Sequence, residues 1–234
     1  MIARVLAVAI AAGLIAGLFA SLIQSYKVFP LIQQAETYEV AAAEGDHQVA
    51  AADGHDHAAA DGHHDGTAWA PGDGLERAAY TWLANSLTGV AFGLLLVAGF
   101  LLCRRDIDWR KGVLWGLGGF AAFALAPAVV LPPEAPGAVA ASVPLRQGLW
   151  ALIAVATAGG LALVVFAKPW GLRLLGIVLI LAPLAISTPH GEGVGNVPPE
   201  LSAQFVTASL GAAALFWVIL GGLSGHFYRR FLGQ

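Results

Sequence analysis

Six long apolar stretches, separated by charged residues, account for most of the chain. A helix needs about 20 residues to cross the hydrocarbon core of a bilayer, which is about 30 Å thick. The uncharged gaps hold 22 residues after Arg4, 26 after Arg77, 22 after Lys111, 21 after Arg146, 18 after Arg173 and 28 after Glu200. This pattern predicts an all-α integral membrane protein with about six transmembrane helices. The fifth would be the shortest, and it contains Pro183 and Pro189.

The same gaps divide the chain into four parts. We expect a first transmembrane helix over residues 1–29, an extracytoplasmic loop over residues 30–77, a five-helix transmembrane bundle with short loops over residues 78–230, and a cytoplasmic tail over residues 231–234. A cleaved signal peptide is the alternative for the first helix and would leave five spans. Its apolar run is longer than a typical signal, which favours a retained helix.

Small residues recur along several of the predicted helices. In membranes, such positions let two helix backbones approach closely, so we expect these helices to pack on each other or on a partner. The spacing is about one helical turn in each case: Gly13, Gly17, Ser21 and Ser25, then Asn85, Gly89 and Gly93, then Gly112 and Gly116, and finally Gly221 and Gly225.

Composition supports the membrane assignment and excludes several functions. Hydrophobic residues make up 58% of the chain and charged residues 12%, against about 25% charged in soluble domains. The single cysteine, Cys103, excludes a disulfide framework or a multi-thiolate metal site within one chain. No phosphate-binding P-loop, paired intramembrane carboxylates or Ser-His spacing is present. We therefore expect no enzyme, no permanently bound cofactor and no nucleic-acid partner.

The distribution of positive charge predicts the orientation in the inner (cytoplasmic) membrane. With the N-terminus inside, nine of the twelve lysines and arginines lie on the cytoplasmic side, and only Lys27, Arg77 and Arg146 lie outside. Cytoplasmic loops retain such charge, so we expect both termini in the cytoplasm.

The predicted outer loop is rich in histidine and aspartate. An eight-residue unit, ADGHDHAA and then ADGHHDGT, is written twice from Ala52 to Thr67. Imidazole and carboxylate suit borderline divalent ions such as cobalt, nickel, zinc and copper(II). Imidazole binds metal only when neutral, so affinity should fall in acid. A low-complexity linker is the alternative, because glycine and alanine make the loop flexible. The candidate ligands are His47, His55, His57, His63, His64, Asp53, Asp56, Asp61 and Asp65.

A second candidate site follows the fifth span, where His190 and Glu192 supply a nitrogen and an oxygen ligand. The prolines free backbone carbonyls there, and irregular backbone at membrane depth is tolerated beside a cavity. A proline-terminated helix with a solvated histidine is the alternative. Four uncharged residues are candidates for lining a pore, although interhelical hydrogen bonds are their commoner role. These are Asn85, Thr88, Gln204 and Thr207. Arg146, Gln147 and Trp150 are expected to anchor the fourth span at the interface.

Several segments in order along the chain resemble the CbtA family of predicted cobalt transporter subunits. They are residues 25–30 (SYKVFP), 118–127 (GGFAAFALAP), 131–134 (LPPE), Arg146-Gln147, Ala182-Pro183 and Pro189-His190. The resemblance implies cobalt uptake for cobalamin synthesis, alongside CbtB, a small single-span partner with a histidine-rich motif. It also implies five spans, one fewer than the gaps predict.

Together these features favour a subunit of a membrane cobalt(II) importer, with lipid and a CbtB-like subunit as partners. A carrier or exporter of nickel, copper or zinc is the alternative, because the candidate ligands do not separate these ions. A metal-sensing scaffold that transports nothing is a third hypothesis. The sequence leaves open whether the protein forms a homo-oligomer.

Overall fold

A computed structural model describes residues 1–38, 72, 74–103, 106–189 and 196–232 of the chain. We number the helices in chain order. They are α1 (Ile2–Lys27), α2 (29–38), α3 (Leu75–Cys103), α4 (Trp109–Val130), α5 (Val143–Phe166), α6 (Trp170–Leu181, continued by a 3₁₀ turn over Ala182–Ala185) and α7 (Pro199–Leu232). The described residues contain no strand, which confirms the all-α class.

Five of these helices are long and apolar enough to cross a membrane. They are α1 with 26 residues, α3 with 29, α4 with 22, α5 with 24 and α7, of which 33 residues qualify. The predicted fifth span is a shorter apolar helix over Trp170–Ala185. The six predicted spans therefore correspond to five full-length helices and one short helix.

The short helix α6 nevertheless returns the chain from one end of the bundle to the other. The Arg4 guanidinium donates a hydrogen bond to the Phe231 carbonyl oxygen at 3.4 Å, so α1 begins where α7 finishes. We call this the terminal end, and the end that holds α2 and the start of α3 the loop end. Leu184 in the 3₁₀ turn and Ile186 after it pack on a cluster that includes Val130, where α4 finishes at the loop end.

Helix α2 continues α1 beyond the length that a bilayer requires. The Val28 amide bonds to the Gln24 carbonyl oxygen at 2.8 Å, and the Ile32 amide bonds to that of Val28 at 3.1 Å. Val28 and Ala35 are buried against the first turns of α7, and Glu36 forms an ion pair with Arg77 at 3.2 Å. The predicted loop of residues 30–77 thus begins with a helix and ends inside α3.

Glycine contacts join the helices in pairs. A Cβ atom at Gly17 of α1 would lie 2.6 Å from the Ser86 Cα of α3, and one at Gly160 of α5 would lie 2.6 Å from the Gly176 carbonyl oxygen of α6. Such distances leave no room for a side chain. The same closeness joins α4 to α7, where Gly112 and Gly116 meet Gly221 and Gly225. The expectation that these stripes pack on each other is confirmed.

Candidate functional site

A cavity of about 500 Å³ opens between the second half of α4, the loop that follows it, the start of α5 and the middle of α7. We call it the α4–α5 cavity. Several segments that carry the family resemblance meet here, although they are far apart in sequence. Its walls include Phe123 and Pro127 from α4, Pro133 from the loop, and Arg146 and Gln147 from α5.

The wall formed by α4 departs from regular helical geometry because of Pro127. Proline has no amide hydrogen, so the carbonyl oxygen four residues earlier, on Phe123, loses its usual partner. Residues Ala121–Leu125 form a π-helical turn, in which the Ala126 amide bonds to the Ala121 carbonyl oxygen. The indole nitrogen of Trp150 donates to the Phe123 carbonyl oxygen at 3.3 Å. Turns of this kind occur often at functional sites.

An ion pair joins the loop after α4 to the first turn of α5 beside the cavity. A carboxylate oxygen of Glu134 lies 2.7 Å from a guanidinium nitrogen of Arg146. The two side chains are 25% and 35% exposed, so the pair is neither fully solvated nor sealed in the core. Besides Arg146, Gln147 and Ser209 add an amide and a hydroxyl to walls that are otherwise apolar. The cavity wall therefore carries one cation and neutral polar groups, and the Glu134 carboxylate adjoins it through the ion pair with Arg146.

A cluster of aromatic rings joins the cavity wall at Phe123 to α3 and α7. Phe123 stacks on Trp217, with ring centroids 5.7 Å apart and planes 9° apart. Phe92 of α3 packs against the same indole at 4.7 Å. Trp217 lies one helical turn beyond Ala213, a residue of the cavity wall. The cavity wall at Phe123 is therefore continuous with the aromatic part of the hydrophobic core.

The histidine and aspartate ligands predicted from sequence lie outside the described residues. This holds for the whole loop set and for the second site: His47, His55, His57, His63, His64, Asp53, Asp56, Asp61, Asp65, His190 and Glu192. Their role as metal ligands stays a prediction.

The described residues on either side of the second site have defined positions. Ile186 packs on the cluster formed by Ala126, Val130 and Ile153, beside the α4–α5 cavity. On the other side, Val197 packs on the cluster that joins α2 to α7. The segment with His190 therefore starts next to the wall of the cavity.

The four candidate pore residues do not gather around one path. The Asn85 amide donates to Ser21 Oγ at 3.0 Å and to Gln24 Oε1 at 2.9 Å, which ties α3 to α1. Thr88 and Gln204 are exposed on the outer surfaces of α3 and α7. Thr207 is also exposed, and its hydroxyl donates to the Ala203 carbonyl oxygen at 2.8 Å. Pore lining by these residues stays a prediction.

No preassembled metal site lies in the described part of the chain. Within it, no group of three or more histidine, cysteine, aspartate or glutamate side chains is placed to hold an ion. Glu134, paired with Arg146, is the carboxylate beside the cavity. A cation that bound Glu134 there would have to displace the guanidinium.

Sequence reasoning missed the pairing of Glu134 with Arg146 and the stacking of Phe123 on Trp217. It treated Arg146 and Trp150 as interface anchors, which stays a prediction, and did not foresee that Arg146 is ion-paired or that Trp150 hydrogen-bonds to α4. The available signals were Pro127 inside an apolar helix and opposite charges flanking a proline-rich loop.

The comparison with protein families agrees with the resemblance. The model of the CbtA family, described as a probable cobalt transporter subunit, matches residues 2–229, which is nearly the whole chain. No curated protein and no solved structure matches the chain significantly. The chain therefore belongs to the CbtA family of probable cobalt transporter subunits.

Proposed function

We propose that this chain is the membrane subunit of a cobalt(II) uptake system that supplies cobalamin synthesis. In this proposal the outer loop collects the ion and the helical bundle admits it at the α4–α5 cavity. The observation that carries the proposal is the Glu134–Arg146 ion pair beside that cavity. Family membership supports the cobalt transport role.

The ion pair suits a site that must bind and release a cation. Partly exposed pairs of this kind contribute only about 0–1 kcal/mol, so an incoming divalent ion can replace Arg146 as the partner of Glu134 at little cost. The Gln147 amide and the Ser209 hydroxyl line the same cavity and can add oxygen ligands. When the ion leaves, Arg146 neutralises the carboxylate again. The site then returns to its ion-free state and can bind the next ion.

The histidine-rich loop acts in this proposal as a collecting arm. Its imidazoles and carboxylates raise the local concentration of cobalt(II), and they release it as the outside becomes acidic. His190 and Glu192 would then pass the ion to the cavity. The packing of Ile186 on the cluster of Ala126, Val130 and Ile153 supports this order, because it brings the chain close to the cavity four residues before His190.

We also propose that both termini are cytoplasmic, that the loop is extracytoplasmic, and that a small single-span subunit with a histidine motif is the partner. The hydrogen bond from Arg4 to Phe231 supports the first point, since it places the start of α1 and the last turn of α7 at the same end of the bundle. The excess of arginine and lysine at that end supports its cytoplasmic orientation.

The test is cobalt accumulation at limiting cobalt in a deletion strain that carries Glu134→Gln. We expect uptake to fall at least tenfold, because the amide keeps the shape of the side chain and removes the charge that binds the ion. Glu36→Gln is the matched control, since it breaks an ion pair near the loop end, with Arg77, away from the cavity. Uptake that is reduced equally in both variants, or in neither, would contradict the proposed role of Glu134.

The loop and the second site are tested in the same strain. Deletion of residues 46–66 should lower uptake when cobalt is scarce and leave it unchanged when cobalt is plentiful, since the loop only concentrates the ion. His190→Ala should lower uptake at both concentrations. Unchanged uptake by the His190 variant at limiting cobalt would remove His190 from the path.

A further inference from the structure

A second cavity, of about 450 Å³, lies at the terminal end of the bundle between the start of α4 and the last turns of α7. We call it the terminal cavity. It is lined by Asp108, Trp109, His226, Arg229 and Arg230. Two neighbouring guanidinium groups and an indole ring therefore share one opening, and no step of the proposed cobalt path uses it.

The carboxylate in this cavity is engaged by its own helix. Asp108 caps α4, where a carboxylate oxygen accepts a hydrogen bond from the Lys111 amide at 2.8 Å. That hydrogen bond has the largest effect on the pKa of the Asp108 carboxyl and lowers it. The charges of Lys111 and Arg229 lower this pKa further. Asp108 is thus ionised and held at the helix start. This one carboxylate, already bonded to its own helix, does not neutralise both Arg229 and Arg230.

The balance of charge around the terminal cavity is positive. The described residues at this end of α1, α4 and α7 carry five cations and two carboxylates: Arg4, Arg110, Lys111, Arg229 and Arg230 against Asp106 and Asp108. Lys111 Nζ donates to the backbone carbonyl oxygen of Asp106 at 2.6 Å, and Lys111 is not among the residues that line the cavity. An anion that enters would meet a net positive field with two arginine donors.

Apolar surface adjoins these charges, as it does where a helix leaves a bilayer. Trp109 is 54% exposed and Phe231 is 43% exposed, although both lie beside charged residues. Tryptophan is enriched at the level of lipid headgroups, and arginine at helix ends reaches toward the same level. A ligand with a charged head and apolar chains matches this arrangement better than a small free anion does.

We propose that the terminal cavity binds the phosphodiester headgroup of an anionic phospholipid, with Arg229 and Arg230 as its donors. In the proposed topology this lipid belongs to the cytoplasmic leaflet, where anionic headgroups attract basic residues. The headgroup would bridge α4 and α7 beside one of their close contacts. There, a Cβ atom at Gly225 would lie 2.9 Å from the Gly112 Cα. The bound lipid would therefore hold the terminal end of this helix pair together.

The experiment titrates the purified full-length chain, in a neutral detergent, with phosphatidylglycerol or phosphatidylcholine and counts bound lipids by native mass spectrometry. We expect phosphatidylglycerol to bind more tightly, and we expect Arg229→Gln and Arg230→Gln each to weaken it about fivefold. The double variant Arg229→Lys and Arg230→Lys, which keeps both charges, should retain most of the binding. Arg173→Gln is the control, because that side chain donates to the Ala167 carbonyl oxygen away from the cavity.

Three results would overturn the proposal. The first is equal binding of the two lipids by the unaltered chain. The second is unchanged phosphatidylglycerol binding after both arginines are replaced by glutamine. The third is complete displacement of the lipid by millimolar inorganic phosphate, which would assign the cavity to a free anion instead. Cobalt uptake does not enter this measurement, so its outcome is independent of the proposed transport function.

Discussion

Two adjacent glycines in α5 offer a matched test of the packing between α5 and α6. A Cβ atom at Gly160 would lie 2.6 Å from the Gly176 carbonyl oxygen, whereas one at Gly159 would meet no atom within 4 Å. Ordinary contact begins at 3.4 Å, so Gly160→Ala must part the two helices by about 0.8 Å. Overpacking of this kind costs about 1–3 kcal/mol.

Gly159→Ala is the control, because it brings the same gain in helix propensity, up to about 1 kcal/mol, without the collision. The difference between the two variants therefore isolates the collision and should equal the full 1–3 kcal/mol. The free energy of unfolding is measured by titrating the protein in mixed micelles with a denaturing detergent. Gly176→Ala should behave like Gly160→Ala, since its Cβ would lie 2.6 Å from the Gly160 carbonyl oxygen. Equal stability of the two α5 variants would refute the close contact.

Three further predictions concern hydrogen bonds and the loop. Asn85→Ala removes two hydrogen bonds between α3 and α1 and should lower the free energy of unfolding by about 1 kcal/mol in the same detergent titration. Trp150→Phe leaves the Phe123 carbonyl oxygen without its indole donor. It should cost about 0.5–1.5 kcal/mol, and a stability equal to the unaltered protein would mean that the bond contributes nothing. The affinity of a peptide of residues 46–66 for cobalt, measured by calorimetry, should fall at least tenfold between pH 7 and pH 5.5 as the imidazoles become protonated. Affinity that is independent of pH would exclude histidine as the main ligand.

The helices and their contacts were largely predictable because both signals are local in sequence. The lengths of the apolar segments predicted five of the spans, and small residues one turn apart predicted which helix faces meet, as at Gly112 and Gly221. The fifth span was the least regular, since Pro183 ends α6 in a 3₁₀ turn. Helix α2 was missed, because Pro30 and the polar residues after it favoured a loop, whereas packing against Leu201 keeps the segment helical.

The α4–α5 cavity could not be predicted because its parts come together only in the folded bundle. Phe123, Trp217 and Phe92 belong to three helices, and the small-residue positions do not show which aromatic rings meet beside the cavity. Glu134 lies in the proline-rich loop and Arg146 in the helix that follows it, and only the path of the loop brings their charged groups to 2.7 Å. Metal binding, by contrast, was suggested by residue type alone, in segments outside the described residues.

Cobalt flux into liposomes that contain the purified chain, with and without the small single-span partner, is the most direct test of cobalt transport by this protein. We expect cobalt(II) entry that exceeds entry of nickel, zinc and copper(II), and that falls at least tenfold with Glu134→Gln but not with Glu36→Gln. If the chain binds cobalt but passes none under either condition, the protein is a sensor or scaffold and the account is contradicted. Faster flux of another of these ions would contradict cobalt as its substrate.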